Sequence, residues 1–221
     1  MRKLIVAALA VLIAVPALAA EAPKTDNQKT LYSLGVLMAR QLAVFNLSSS
    51  ELELVKQGLT DGTFGNKLQA DVESYKTKIP TLAMERRTQE GEKLAAEAKA
   101  FTDKAAKEKG AEKTASGLIY IPTKQGAGAS PSATDKVKVN YRGTLINGRE
   151  FDSSYSAGKP AELPLDKVIK CWGEGVQKMK VGGKARLICP PALAYGEQGS
   201  GPTIPPNATL VFDIELLDIV K

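Results

Sequence analysis

The sequence predicts an α+β protein: an all-helical N-terminal domain ending in a long connecting helix, then several antiparallel strands plus one short helix. Three observations predict it. Apolar residues recur at helical spacing from about residue 27 to residue 110. From about Ser116 onward Gly and Pro become frequent and apolar residues alternate. A single helical stretch, "VIKCWGEGVQKM", interrupts those strand-like runs. The expected division is a leader over 1–19, a helical domain with its connecting helix over 20–115, and the strand-rich domain over 116–221.

The first residues, "MRKLIVAALAVLIAVPALAAEAP", combine a basic start, an apolar run from Leu4 to Val15, and small residues after Pro16. That is the pattern of a secretory signal peptide, and Ala17-Leu18-Ala19 places cleavage before Ala20. No cysteine follows the run, which argues against a lipid anchor. The run is shorter than the ~20 residues of a membrane span. The expected mature protein is exported to a periplasm, with no stable membrane insertion.

"QKTLYSLGVLMARQLAVF" sets Leu31, Leu34, Val36, Leu37, Met38, Leu42 and Phe45 on a broad apolar helix face. In "NLSSSELELVKQGLTDG", Ser48 and Glu51 fit a capping box, Leu52, Val55 and Leu59 form the expected buried stripe, and Gly62 is the expected stop. A third helical stretch runs from about Leu68 to Lys109; unbroken, it would be roughly 60 Å long. Pro80 should kink or break it, and Gly91 should weaken it. Its stripe of Leu94, Ala98, Phe101 and Ala105 is thin, so it reads as a rod whose ends pack on something else. The first two helices carry more apolar face than about 40 residues can cover by themselves. A homodimer through residues 27–66 is therefore expected, with a monomeric helical cap as the alternative.

"GLIYIPTK" and "DKVKVNYRGTL" are strand-like; in the second, Val137, Val139 and Tyr141 share one face. Asn147-Gly148 signals a hairpin. "PAELPL" fits a short edge strand, and "KARLICP" and "ATLVFDIELLDIV" complete the sheet, with Leu210, Phe212, Ile214 and Leu216 alternating.

Composition excludes several chemistries. The chain contains no histidine, so neither a Ser-His-Asp nor a Cys-His arrangement is possible. Histidine-ligated zinc is excluded, and two cysteines cannot form a four-cysteine zinc site. Gly-rich phosphate loops and dinucleotide fingerprints are absent. The basic excess is six, or four without Arg2 and Lys3, and basic residues interleave with acidic ones; no nucleic-acid partner is expected. Cys171 and Cys189 are the two cysteines, and in an oxidising compartment a disulfide between them is expected. Spacing alone does not show that their Cβ atoms meet, so two buried thiols stand as the alternative.

Several blocks carry a family resemblance: "VNYRGTLINGREFDSS", "GKPAELPLDKVIKCWGEGVQKMKVGGKARL", "LAYGEQG" and "IPPNATLVFDIELL". Together they resemble the FKBP-type peptidyl-prolyl cis-trans isomerases across 116–221. "YSLGVLMARQL" and "VKQGLTDG" resemble the helical domain of the macrophage-infectivity-potentiator subgroup. The resemblance implies an FKBP-like antiparallel sheet wrapped around a short helix, and isomerisation of X-Pro bonds without nucleophile, metal or cofactor. It also implies exported proteins dimerised by their N-terminal helices.

By that resemblance the catalytic positions are Tyr141, Phe151, Asp152, Trp172, Tyr195 and Phe212, and the substrate-binding positions are Leu163, Val168, Ile169 and Ile204. Trp172 would form the pocket floor, and Phe151 and Phe212 its walls. Tyr195 and the Ile169 N–H would donate to substrate carbonyls. Asp152, within "GREFDSS", would order the rim by accepting from Tyr141 rather than move protons. The loop "EQGSGPTIPP" would be a shaped flap over the pocket. Ala161 stands where an aromatic is common in the smallest members, with Leu163 nearby to fill the wall. Cys171 replaces a frequent glycine before the tryptophan. The implied partners are proline-containing, unfolded or partly folded polypeptides. The competing reading is a dimeric periplasmic holdase chaperone with a weakly active FKBP module.

Overall fold

The computed structural model describes residues 21–220. The leader expected over 1–19 lies outside the described residues. Four helices come first: α1 (Asp26–Leu42), α2 (Ser49–Phe64), α3 (Val72–Lys76) and α4 (Lys78–Ala105). Seven strands and one further helix follow: β1 (Glu112–Lys113), β2 (Ile119–Lys124), β3 (Lys136–Leu145), β4 (Glu150–Ser153), β5 (Ala161–Pro164), α5 (Lys170–Gly175), β6 (Lys184–Cys189) and β7 (Leu210–Val220).

The apolar face of α1 stays open: Leu31, Leu34 and Leu37 are each more than half exposed. The start of α2 is the expected capping box, with the Ser48 side chain accepting from the Glu51 N–H and Glu51 reaching back to the Ser48 N–H. Its end is not Gly62. The helix runs through Gly62 to Phe64 and stops at Gly65, whose φ of 67° is the left-handed cap that a glycine readily adopts. Nor is its stripe buried: Leu52 is 41% and Leu59 45% exposed, because no other described segment covers them fully.

The third helical stretch is broken rather than kinked. α3 ends at Lys76, and α4 starts at Lys78 with Pro80 as its third residue. There the missing proline N–H removes nothing, since the first four N–H groups of a helix have no partner inside it. The 28 residues of α4 span about 42 Å, less than the unbroken rod would.

The strands pair antiparallel in the order β1-β2-β6-β7-β3-β4, with β5 on β3. Alternation along β6 and β7 divides the core in two. Ala185, Leu187, Leu210, Phe212, Ile214 and Leu216 join Trp172, Val176 and Met179 in the larger cluster, which also takes in Leu94. Ile188 and Val211 join Ile119, Ile121 and Ala105 in the smaller one, flanked by Phe101. The narrow stripe of α4 is thus the cover for the second sheet face, and that burial compensates for its weak amphipathicity. Two-residue β1 was not legible as a strand, since "EK" has no alternation to read.

The hairpin at Asn147-Gly148 forms as expected: Gly148 has φ 86° and its N–H donates to the Leu145 carbonyl. Cys171 and Cys189 are disulfide-bonded, with Cα atoms 5.7 Å apart. The bond ties the first turn of α5 to the end of β6. No described helix is long and apolar enough to cross a membrane.

Candidate active site

One pocket of about 480 Å³ opens where β3, β4, β5, β7 and α5 meet. Nine of the ten expected pocket residues line it: Tyr141, Phe151, Asp152, Leu163, Val168, Ile169, Trp172, Tyr195 and Phe212. Lys167 lines it too and was missed, because a lysine at the end of a short 3-10 turn looks like ordinary surface.

Ile204 is the exception. Its side chain is 6% exposed within the core, outside the lining, and its backbone bridges to Ser200. Residues 196–206 likewise stand outside the lining; only their root, Tyr195, reaches the pocket. The expected cover over the pocket is therefore a loop beside it. Thr203 instead lines a neighbouring hollow of about 210 Å³ that shares Phe151 and Asp152.

Four aromatic rings set the shape. Trp172, 4% exposed, packs edge-on to Tyr141 at 5.1 Å and to Phe212 at 5.4 Å. Phe151 meets Phe212 at 5.6 Å and 88°. Edge-to-face packing holds each ring in one orientation. Two residues that the sequence reading did not single out allow this. Gly143 lies under the Phe151–Phe212 pair, where a Cβ would sit 2.7 Å from the Phe151 ring and 3.0 Å from the Phe212 ring. Gly175 lets α5 press on the sheet, since a Cβ there would sit 2.6 Å from Leu187.

The rim carboxylate is already engaged. Tyr141 donates its hydroxyl to Asp152 Oδ2 at 2.5 Å, and the Ser153 N–H donates to Oδ1 at 2.8 Å. Burial first, then the bond to Asp152, holds the Tyr141 hydroxyl well above its ordinary pKa. The Tyr195 hydroxyl is also raised, by burial and then by the charge of Asp152, with no hydrogen bond contributing. Both phenols therefore stay protonated at neutral pH, and among the described residues the Tyr195 hydroxyl has no hydrogen-bond partner. Among the described residues the Ile169 N–H also has no acceptor, because it precedes the first turn of α5.

An apolar cup with two free donors at its edge suits one reaction type. Amide resonance makes rotation about a peptide bond cost ~18–20 kcal/mol. A twisted amide has lost that resonance and is less dipolar, so an apolar wall favours it over the planar form. No proton, electron or leaving group has to move.

The comparisons with known proteins agree with this geometry. The family described as FKBP-type peptidyl-prolyl cis-trans isomerase matches residues 128–217. The domain amino terminal to FKBP-type peptidyl-prolyl isomerase matches residues 27–121. The isomerase FkpA of Escherichia coli strain K12 is 39% identical over 220 residues, covering 92% of this chain and 81% of the relative. The FKBP-type 22 kDa isomerase of the same strain is 38% identical over 199 residues, covering 89% of this chain and 97% of the relative. The crystal structure of FkpA from Escherichia coli superposes with a TM-score of 0.59 at 36% identity, covering 90% of this chain and 98% of that one. With both domains matched in order, the chain belongs to the FKBP-type peptidyl-prolyl cis-trans isomerases.

Proposed function

We propose that the pocket around Trp172 is where this isomerase turns X-Pro bonds of exported polypeptides, and that it acts in the periplasm after loss of residues 1–19. The aromatic cup with a fully bonded rim carboxylate carries the reading. The proline ring rests on Trp172 between Phe151 and Phe212, with Leu163 and Val168 completing the wall. Tyr195 and the Ile169 N–H take the flanking carbonyls. Ile204 serves indirectly, by shaping the loop that starts at Tyr195. X-Pro isomerisation takes tens of seconds or more uncatalysed, so its acceleration matters to folding chains.

The helical part, 20–115, brings two copies together through 27–66, and 116–221 carries the chemistry. The open apolar residues of α1 and α2 support the dimer. The same surface favours a second role, holding unfolded clients between two arms. Exposed Leu68, Val72, Tyr75 and Ile79 extend it.

The test compares the mature protein with a Tyr195→Phe, Phe212→Ala double variant on short X-Pro peptides. Turnover that disappears in the variant supports the pocket. Undiminished turnover in the variant overturns it. Sedimentation of a Leu31→Asp, Leu37→Asp variant checks the dimer, and a wild-type mass would refute it.

A further inference from the structure

We infer that Arg87, Glu90 and Gly91 of α4, together with Arg149, are positioning residues of the isomerase. They seat the 196–206 loop and, through its root, Tyr195. The inference rests on the pocket reading above.

The loop is held from the helix side. Arg87 Nη2 donates to the Gln198 carbonyl at 2.9 Å and to the Ile204 carbonyl at 3.0 Å, gripping both limbs at once. Arg149, at the tip of the β3–β4 hairpin, donates to the Thr203 carbonyl at 3.2 Å and to the Ala43 carbonyl at 3.3 Å. Its position is set by Glu90, which accepts from Arg149 Nη2 at 2.7 Å and whose side chain is 5% exposed. One turn of α4 thereby reaches both limbs of the loop, the hairpin beside Phe151, and the turn that follows α1.

Two facts argue that this knot serves position more than stability. Glu90 Oε1, Arg87 Nε and Arg149 Nε are buried without partners among the described residues. A buried ion pair so incompletely satisfied gains little folding energy over apolar replacements. Gly91 is the second fact: a Cβ there would sit 2.7 Å from the Pro206 carbonyl oxygen. The helix therefore carries a weak helix former in its interior where the loop comes closest.

The loop passes this placement to the pocket. The Gly199 N–H donates to the Tyr195 carbonyl at 3.1 Å, and the Asn207 N–H closes the base on the Gly196 carbonyl at 2.9 Å. A shift of the Gln198 and Ile204 carbonyls therefore moves Tyr195, whose hydroxyl is a proposed donor to substrate.

The experiment uses the full mature chain. Arg87→Met removes the donors but keeps the stem. Arg87→Lys restores one cation, and Gly91→Ala pushes on the loop while improving the helix. Expected for Arg87→Met and Gly91→Ala is a fall in kcat/KM on short X-Pro peptides of about 10-fold, since small misplacements of catalytic groups cost this much or more. Arg87→Lys should recover at least half of the loss. Amide exchange at Gly199 and Ile204 should quicken in Arg87→Met while Leu187 and Ile188 keep their rates. Wild-type kcat/KM in both Arg87→Met and Gly91→Ala, with the Tyr195→Phe, Phe212→Ala variant inactive, overturns this inference alone. Activity loss matched by equally faster exchange at Leu187 and Ile188 also overturns it, since the residues would then only hold the fold. Full turnover in the double pocket variant removes the pocket reading, and this inference with it.

Discussion

Tyr141 on β3 donates a hydrogen bond from its hydroxyl to Asp152 on β4, across a strand pair in which Gly143 and Asp152 are direct partners. That relationship separates two roles for the carboxylate. Asp152→Asn keeps an acceptor for Tyr141 and should retain at least about a third of kcat/KM. A general base would lose ~100-fold or more on the same change. Asp152→Leu removes the acceptor and should lose about 10-fold, with stability reduced by about 0.5–1.5 kcal/mol, the net worth of a solvent-accessible hydrogen bond. Peptide turnover and urea unfolding measure both.

Gly143→Ala should disturb the pocket without touching any polar group. The added methyl meets both the Phe151 and Phe212 rings, which must turn out of their edge-to-face contact. Expected is a fall in kcat/KM of roughly 10-fold together with a loss of about 1–3 kcal/mol, as for an overpacked core. Near-ultraviolet dichroism would report the reoriented rings.

With no histidine and a mechanism that moves no proton, kcat/KM should be flat from about pH 6 to about pH 9. A bell-shaped profile in that range would contradict the mechanism. Alkaline stability follows from the phenols. Tyr141 and Tyr195 have folded pKa values above their unfolded value of about 10, so their contribution is complete below pH 10 and is lost as pH rises through the folded values.

Acid acts at the other end of the chain. The Ser48 N–H and hydroxyl, then Arg86, hold the Glu51 carboxyl down to about 2 from 4.5. Its contribution to α2 is present above pH 4.5 and is lost as pH falls towards 2. Helicity near 222 nm should therefore drop over that window, and the Glu51→Gln variant should show a smaller change there.

Removing the Cys171–Cys189 bond opens a loop of 18 residues. Loop-closure entropy sets the expected loss at about 3 kcal/mol. The Cys171→Ser, Cys189→Ser protein should unfold at lower urea yet still isomerise peptides at 25 °C, because the larger core around Trp172 persists. Wild-type stability in that variant would mean the bond adds nothing.

Legibility followed the range of the interaction. The capping box at Ser48 and Glu51, the strands β2, β3, β5, β6 and β7 and the Asn147-Gly148 turn depend on neighbours a few residues away, and each formed where its spacing pointed. The pocket residues were legible for a different reason: the motif blocks carry them by family likeness, as with Trp172 and Phe212. Gly62 and Ile204 were misread because their surroundings come from elsewhere. A glycine is a stop only where the chain turns left-handed, and an isoleucine in a loop lines a pocket only if the loop leans over it. Gly143 and Arg149 gave no local signal, since each matters through what the fold sets against it.

By itself the sequence determined the fold class, the order of the two parts and the absence of histidine chemistry, because periodicity and composition act locally or on the whole chain. Tertiary structure alone decided that the stripe of Phe101 and Ala105 covers the second face of the sheet, and that Arg87 grips the limbs of a distant loop. Those outcomes depend on contacts between residues up to 117 positions apart, and only the folded chain brings them within hydrogen-bonding distance.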